Sequence, residues 1–254
     1  MSVSISSEAL FHIGGFAVTN GMFTAVVISV ILIAFSAYLS RKLSLVPGRI
    51  QTTLEILVEY LMKQLEQAFG SRDRARKFFP LLMTLLIFIV VANQFSLVPL
   101  VSQIVFKGDP VFRLPTADLS GTVGLALLIL FIAHFIAFSI RPLKHVGGFI
   151  KIESILKIRS LKDIPQALLD FFLGLLDIIS EFAKLLSLSF RLFGNIFAGE
   201  VMVAVIAGIS VYTAYIVPIP FIVLSIFSGF VQAFVFVLLS MQYIAFTIKS
   251  VEGK

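Results

Sequence analysis

The sequence predicts an all-α multi-pass membrane protein, a single membrane domain over residues 1–254. It should have about five membrane-crossing helices and an interfacial amphipathic helix, the last two crossings forming a long, strongly tilted hairpin. Three observations carry this. Apolar residues make up 59% of the chain and mean hydropathy is +1.05, whereas a soluble domain has roughly 45–50% apolar residues. Charged residues are only 13%, against about 25% in soluble proteins. A buried core cannot absorb that excess, so lipid must solvate much of the surface. The basic residues also segregate: eight lie between Arg41 and Lys77, six between Arg141 and Lys162, and two (Lys249, Lys254) in the tail. Lys107 and Arg113 alone lie in the loop between the second and third apolar runs, and Lys184 and Arg191 sit inside an apolar run. That is a positive-inside pattern, which sets topology. It also argues against nucleic acid as the partner behind the net charge of +6.

Each element follows in order. Residues 1–20 carry no Lys or Arg; a secretory signal needs a basic start, so none is expected and the N-terminus is placed outside. The first span, residues 21–39, is long enough to cross and ends at Ser40-Arg41-Lys42, on the cytoplasmic side. Residues 50–69 differ. Ile50, Leu54, Leu57, Val58, Leu61, Leu65 and Ala68 share one helical face, and Gln51, Glu55, Glu59, Lys63 and Glu66 take the other. Such a helix lies along the membrane interface or packs against another subunit. The second span, 78–105, is interrupted by Asn93, Gln94 and Pro99. An outer loop to Asp118 contains Pro110 and Pro115, a third span covers 119–140, and a basic cytoplasmic loop covers 141–165.

The last third is apolar from Gln166 to Tyr215, breaks at Pro218 and Pro220, and resumes over 221–248. As one straight helix, residues 166–215 would be about 75 Å long, against a hydrocarbon core of about 30 Å. Ordinary tilt of about 20° cannot absorb the difference, so this segment must tilt steeply, lie partly across the membrane, or extend beyond it. The basic tail places the C-terminus in the cytoplasm.

Six charges interrupt this long segment: Asp170, Asp177, Glu181, Lys184, Arg191 and Glu200. Intramembrane charges are costly and default to functional hypotheses. Glu181 can pair with Lys184 at i,i+3, and Asp170 lies near the helix start, where a solvated end suffices. Arg191 has no acidic residue three or four positions away. Ser187 and Asn195 lie one turn before and after it, and Gly194 and Ala198 keep that face low. A small, polar stripe bearing one Arg suggests a packed partner whose carboxylate meets it transiently. Arg stays charged when buried and cannot itself relay a proton. Glu200 lies nine residues on, nearer the outer end and on the opposite face, while Asp177 and Glu181 lie nearer the cytoplasm. Two offset half-channels need such an arrangement.

The run Arg191-Leu-Phe-Gly-Asn195-Ile-Phe-Ala-Gly-Glu200 resembles the signature of subunit a of F-type ATP synthases. Leu186-Ser-Leu-Ser-Phe190, Gln232-Ala-Phe-Val-Phe236, and the regions of Asn93 and Pro115-Thr-Ala-Asp118 are also similar, and the likeness extends from about residue 15. The resemblance implies a stationary ion-channel subunit in an energy-transducing membrane, the bacterial inner membrane. Its implied partners are a ring of c subunits, the peripheral-stalk b subunits, the other synthase subunits and the lipid bilayer. Arg191 would face the ring, Asn195 would line the same contact and Gln232 would sit close to the Arg. Glu200 would serve the outer half-channel, with Asn93 and Asp118 as weaker candidates, and Asp177 and Ser187 match polar positions on the cytoplasmic side. Ser225 stands where some relatives carry an ionisable residue, which leaves the outer relay to Glu200.

Catalysis by this chain alone is not expected, and no cofactor is implied. The sequence has no phosphate-binding loop, H-E-x-x-H or G-x-S-x-G motif. It has no Cys, and His12, His134 and His145 are scattered, so neither a thiolate nor a His-cluster metal site is predicted. An independent transporter would show inverted repeats and paired broken helices, which the sequence lacks. A membrane enzyme would need an acid–base or nucleophile constellation, also missing. In a structural anchor Arg191 would be replaceable.

Overall fold

The computed structural model describes residues 9–95, 104–106, 109–142, 147, 164–209 and 217–252. The end of the predicted second span (96–103), most of the predicted basic loop and the segment 210–216 before the Pro-rich turn lie outside the described residues. The described elements run in the order β1 (Ala9–Ile13), β2 (Phe16–Thr19), α1 (Asn20–Ser40), α2 (Arg49–Phe69), α3 (Arg72–Phe95), β3 (Val105–Phe106), β4 (Asp109–Pro110), α4 (Leu119–Ile140), α5 (Ile164–Ile209) and α6 (Pro218–Glu252).

The chain is an all-α multi-pass membrane protein. Helices α1, α3, α4 and α6 are long and apolar enough to cross a membrane. At 46 residues, α5 is far longer than the about 20 needed to span, and it holds the six charges from Asp170 to Glu200. Burial is inverted relative to a water-soluble fold. Thr24, Thr122, Ser189 and Ser240 are fully buried, while Ile33, Phe131, Leu168 and Phe227 are each more than 60% exposed. In water that arrangement would be costly; in lipid it is favoured, because polar side chains seek partners between helices and apolar ones face the tails.

Two short antiparallel pairs punctuate the helices. β1 pairs with β2 through Ile13↔Phe16, leaving Gly14-Gly15 as a two-residue loop. Both glycines have positive φ, 57° and 88°, the requirement of the type I′ hairpin turn. β2 ends at Thr19, whose hydroxyl caps α1 by accepting from Met22 N at 3.3 Å. The second pair joins Val105–Phe106 to Asp109–Pro110.

The chain divides into two compact units. The first comprises residues 1–122 and 190–241. In it α2 turns into α3 at Gly70, whose αL conformation (φ 66°, ψ 10°) closes the helix through Gly70 N→Glu66 O, 2.9 Å. Leu61, Leu65, Ala68 and Phe69 are buried, and Phe69 stacks on Phe78 at 4.6 Å. The C-terminal half of the amphipathic helix therefore spends its apolar face inside the chain, whereas Ile50 and Ile56 remain exposed. Helix α6 meets α3 where Asn93 Nδ2 donates to Gly229 O at 2.9 Å and Gln94 Nε2 to Ile226 O at 3.2 Å. Gly229 permits this approach: a Cβ there would lie 3.2 Å from that of Asn93.

The second unit comprises residues 123–189 and 242–254. Ala126, Ile129, Ala133 and Ala137 mark the buried face of α4, and Ile244, Ala245, Ile248 and Val251 that of α6. Three alanines among the α4 residues let backbones approach closely, as membrane helix packing requires.

Candidate functional site

Arg191 is exposed on α5 between buried Leu192 and Leu185. It makes no hydrogen bond or ion pair among the described residues. Ser187 and Ala198 are exposed with it, and Gly194 is half-buried. Positions 187, 191, 194 and 198 follow the i, i+4, i+7 spacing of one helix face. The opposite side of the same helix is used internally through Leu192 and Ile196.

Asn195 is tied down. Its Oδ1 accepts from Ser228 Oγ at 2.7 Å and its Nδ2 donates to Ser228 O at 3.4 Å. One turn on, a Cβ on Gly199 would meet Ser225 Oγ at 2.9 Å. The pairs 195/228 and 199/225 define an antiparallel register between α5 and α6. Extended one turn the other way, that register brings Gln232 level with Arg191. Gln232 is 6% exposed and its Nε2 has no hydrogen-bond partner among the described residues. Asn93, on α3, is 4% exposed and its Oδ1 likewise has no partner among the described residues. Gly229, which accepts from Asn93, lies three residues before Gln232, so α6 carries both along one face.

Glu200 is half-buried, and the cation that acts on it is Arg113, in the segment before α4. That segment packs inward: Leu114 and Ala117 are buried with Ile196 of α5, and Phe95 lies against them. Arg113 N donates to Thr24 Oγ1 at 3.1 Å, which pins the segment to α1. Asp118 is buried and caps α4, its Oδ1 accepting from Ser120 N at 3.3 Å and its Oδ2 from Ser120 Oγ at 2.5 Å. Asp177 is exposed on α5.

In the second unit Glu181 and Lys184 pair at 2.9 Å, as i,i+3 spacing allows. Tyr243 of α6 and His134 of α4 join them: Tyr243 donates its hydroxyl to Glu181 Oε2 at 2.5 Å and lies 2.9 Å from His134 Nε2.

The family model described as ATP synthase A chain matches residues 22–245. The chain belongs to the ATP synthase A chain family. It is 32% identical over 251 residues to an "ATP synthase subunit a 2" of Bradyrhizobium sp., with 98% of each chain covered. It is 33% identical over 252 residues to a protein of the same description from Pelobacter propionicus, covering 98% of this chain and 95% of the relative. It is 31% identical over 246 residues to "ATP synthase subunit a" of Desulforamulus reducens, covering 94% and 83%. As a member of this family it is a membrane component of an ATP synthase, with other synthase subunits as partners.

Against that family frame, sequence reasoning missed Ser228, Arg113, His134 and Tyr243. Ser228 had a signal, since it lies one turn before Gln232 on the returning helix. Arg113 had a weaker one, being one of two basic residues in the outer loop. His134 and Tyr243 had none, because neither has an ionisable neighbour within four residues in the sequence.

Proposed function

We propose that this chain is the stationary ion-channel subunit of an F-type ATP synthase in a bacterial inner membrane, with its N-terminus outside and C-terminus in the cytoplasm. Arg191 faces a rotating ring of c subunits, the peripheral-stalk b subunits hold the chain still, and two half-channels open to opposite sides. The observation that supports this best is the state of Arg191: exposed, unpaired among the described residues, and flanked by small side chains. A charge near bilayer centre costs about 2.5–3.5 kcal/mol on insertion scales, so a partner outside this chain must offset it. A carboxylate on a passing helix fits.

The mechanism follows from electrostatics. A ring carboxylate facing lipid must be neutral, because the charged form is costly there. Beside the Arg191 guanidinium its charged form is favoured, so its ion is released to one half-channel and replaced from the other. Arg191 cannot give up its own proton and repels a cation passing straight between the two entrances. Glu200 serves the outer half-channel, with Asn93 and Asp118 as weaker candidates for it, and Asp177 and Ser187 serve the cytoplasmic one. The Asn195–Ser228 pair fixes the α5 face against α6, and Gln232 backs Arg191 with an uncommitted amide. The transmembrane potential contributes about 2.3 kcal/mol per charge per 100 mV, which biases rotation.

The test is Arg191→Ala in the assembled complex. Ion-driven ATP synthesis is expected to vanish and passive ion leak to rise. Coupled synthesis at the wild-type rate without extra leak would reject the proposal.

A further inference from the structure

Four ionisable side chains converge in the second unit from three helices, and the Arg191 mechanism uses none of them. Glu181 and Lys184 come from α5, His134 from α4 and Tyr243 from α6. Glu181 Oε1 holds Lys184 Nζ at 2.9 Å. Glu181 Oε2 accepts from the Tyr243 hydroxyl at 2.5 Å, and that hydroxyl lies 2.9 Å from His134 Nε2. His134 and Glu181 themselves are 3.7 Å apart, too far for a direct hydrogen bond. The phenol is therefore the link. Lys184 Nζ is also held over the Tyr243 and Phe246 rings, 5.4 Å from each centroid. The cluster is not sealed: the His134 and Glu181 side chains keep 26% and 19% exposure.

We propose that His134, Tyr243 and Glu181 form a hydroxyl-bridged proton relay, and that the ion handled there is a proton. This rests on the channel reading above, which supplies the ion flow. A phenol both donates and accepts, so the transfer balances without an outside reactant. The Nε2–H bond of a His134 imidazolium breaks as a new O–H forms on Tyr243. The original Tyr243 O–H breaks as an O–H forms on Glu181 Oε2. The phenol ends neutral, as it began, and one proton has moved from imidazolium to carboxylate. Lys184 occupies Oε1, which directs the proton to the oxygen facing Tyr243. A sodium ion would meet that fixed ammonium at the same carboxylate and be repelled.

The experiment uses the complete synthase in proteoliposomes, with subunit amounts measured. Proton flux is recorded under an imposed potential in potassium and in sodium media. Tyr243→Phe keeps the ring and removes the bridge, while His134→Gln and Glu181→Gln remove the ends. Each is expected to lower flux at least ~100-fold, the smaller end of what positioned proton transfer contributes. The double variant Y243F/E181Q should be no slower than the worse single, because a serial chain is broken once; independent packing defects would add. Sodium should leave the wild-type rate within about twofold. If Y243F fails to assemble, H134Q decides the matter. Flux within about twofold of wild type in assembled Y243F and H134Q overturns the relay and leaves a packing cluster. Sodium-dependent flux overturns the ion assignment. Either result stands apart from the Arg191→Ala outcome, so failure of the relay and failure of the channel reading are distinguishable.

Discussion

Asn195 and Ser228 exchange two contacts across α5 and α6: the serine hydroxyl donates to the amide oxygen at 2.7 Å, and the amide nitrogen reaches the serine carbonyl at 3.4 Å. The pair lies one turn beyond Arg191 on α5. It locks rotation of α5 about its own axis, and so the direction in which the exposed Arg191 side points. Positioning of the charge thus depends on a neutral serine that carries no ion.

Ser228→Ala should therefore weaken the helix pair. It leaves the half-buried Asn195 oxygen without its donor, at a cost of about 1–3 kcal/mol. The expected outcome is a lower thermal midpoint of the solubilised complex and slower ATP synthesis at high temperature, with Ser228→Thr close to wild type. Equal midpoints for all three proteins would show that the contact does not fix the helices.

Gly199 and Ser225 give a sharper case. A Cβ at position 199 would stand 2.9 Å from Ser225 Oγ and 3.7 Å from its Cβ. Only the hydroxyl is too close. Gly199→Ala should cost about 1–3 kcal/mol through overpacking and reduce the amount of subunit in the membrane. Ser225→Ala should restore it in the double variant, since the remaining 3.7 Å contact is ordinary. Failure of the double variant to recover would mean that backbone approach, not the hydroxyl, sets the limit.

The sequence predicts the helices well and their buried faces poorly, for a physical reason. In α2 polar and apolar residues alternate at helical spacing, so Leu61, Leu65 and Ala68 were legible as one face, and all three are buried. In α1 and α4 nearly every residue is apolar, so periodicity carries no facing information; that Ile28 is buried while Ile33 is 69% exposed comes only from packing. At the site, Glu181–Lys184 was readable because i,i+3 neighbours meet on any helix. Its extension to His134 and Tyr243 spans 47 and 62 residues of sequence from Glu181 (181 − 134 and 243 − 181), which no local rule reaches. Asp118 shows the converse. The resemblance makes it a weaker candidate for the outer half-channel; it also stands just before an apolar helix, where a side-chain cap is the usual occupant, and it caps α4 through Ser120.

Gly70 tests the corner between α2 and α3. Its φ of 66° lies where an L side chain costs about 1–2 kcal/mol. A Cβ there would meet nothing within 4 Å, so the cost is conformational alone. Gly70→Ala should lower the thermal midpoint of the complex, and Gly70→Asn should do so less, because Asn tolerates this region. Gly70→Val should be worst. A ranking by side-chain size that ignored the Asn advantage would point to crowding by another subunit instead.

Arg113 and Glu200 form a charge relationship within the first unit, and it makes a testable prediction. Arg113 is the cation that acts on Glu200, and its backbone is pinned by Thr24. If Glu200 carries ions of the outer half-channel, the strength of the Arg113 charge sets how readily Glu200 takes and releases them. Arg113→Gln removes the charge but keeps a hydrogen-bonding side chain, so the exchange of ions at Glu200 should change. ATP synthesis compared at a fixed driving force should then depend differently on the outside pH, by several-fold at some value. Arg113→Lys keeps the charge and should shift the profile little. A Glu200→Gln background should abolish the difference between Arg and Gln at position 113, because the responding carboxylate is gone. Were the pH profile of Arg113→Gln to match wild type, the outer route would not run through Glu200, and the inward-packed segment from Leu114 to Asp118 would be a structural plug alone.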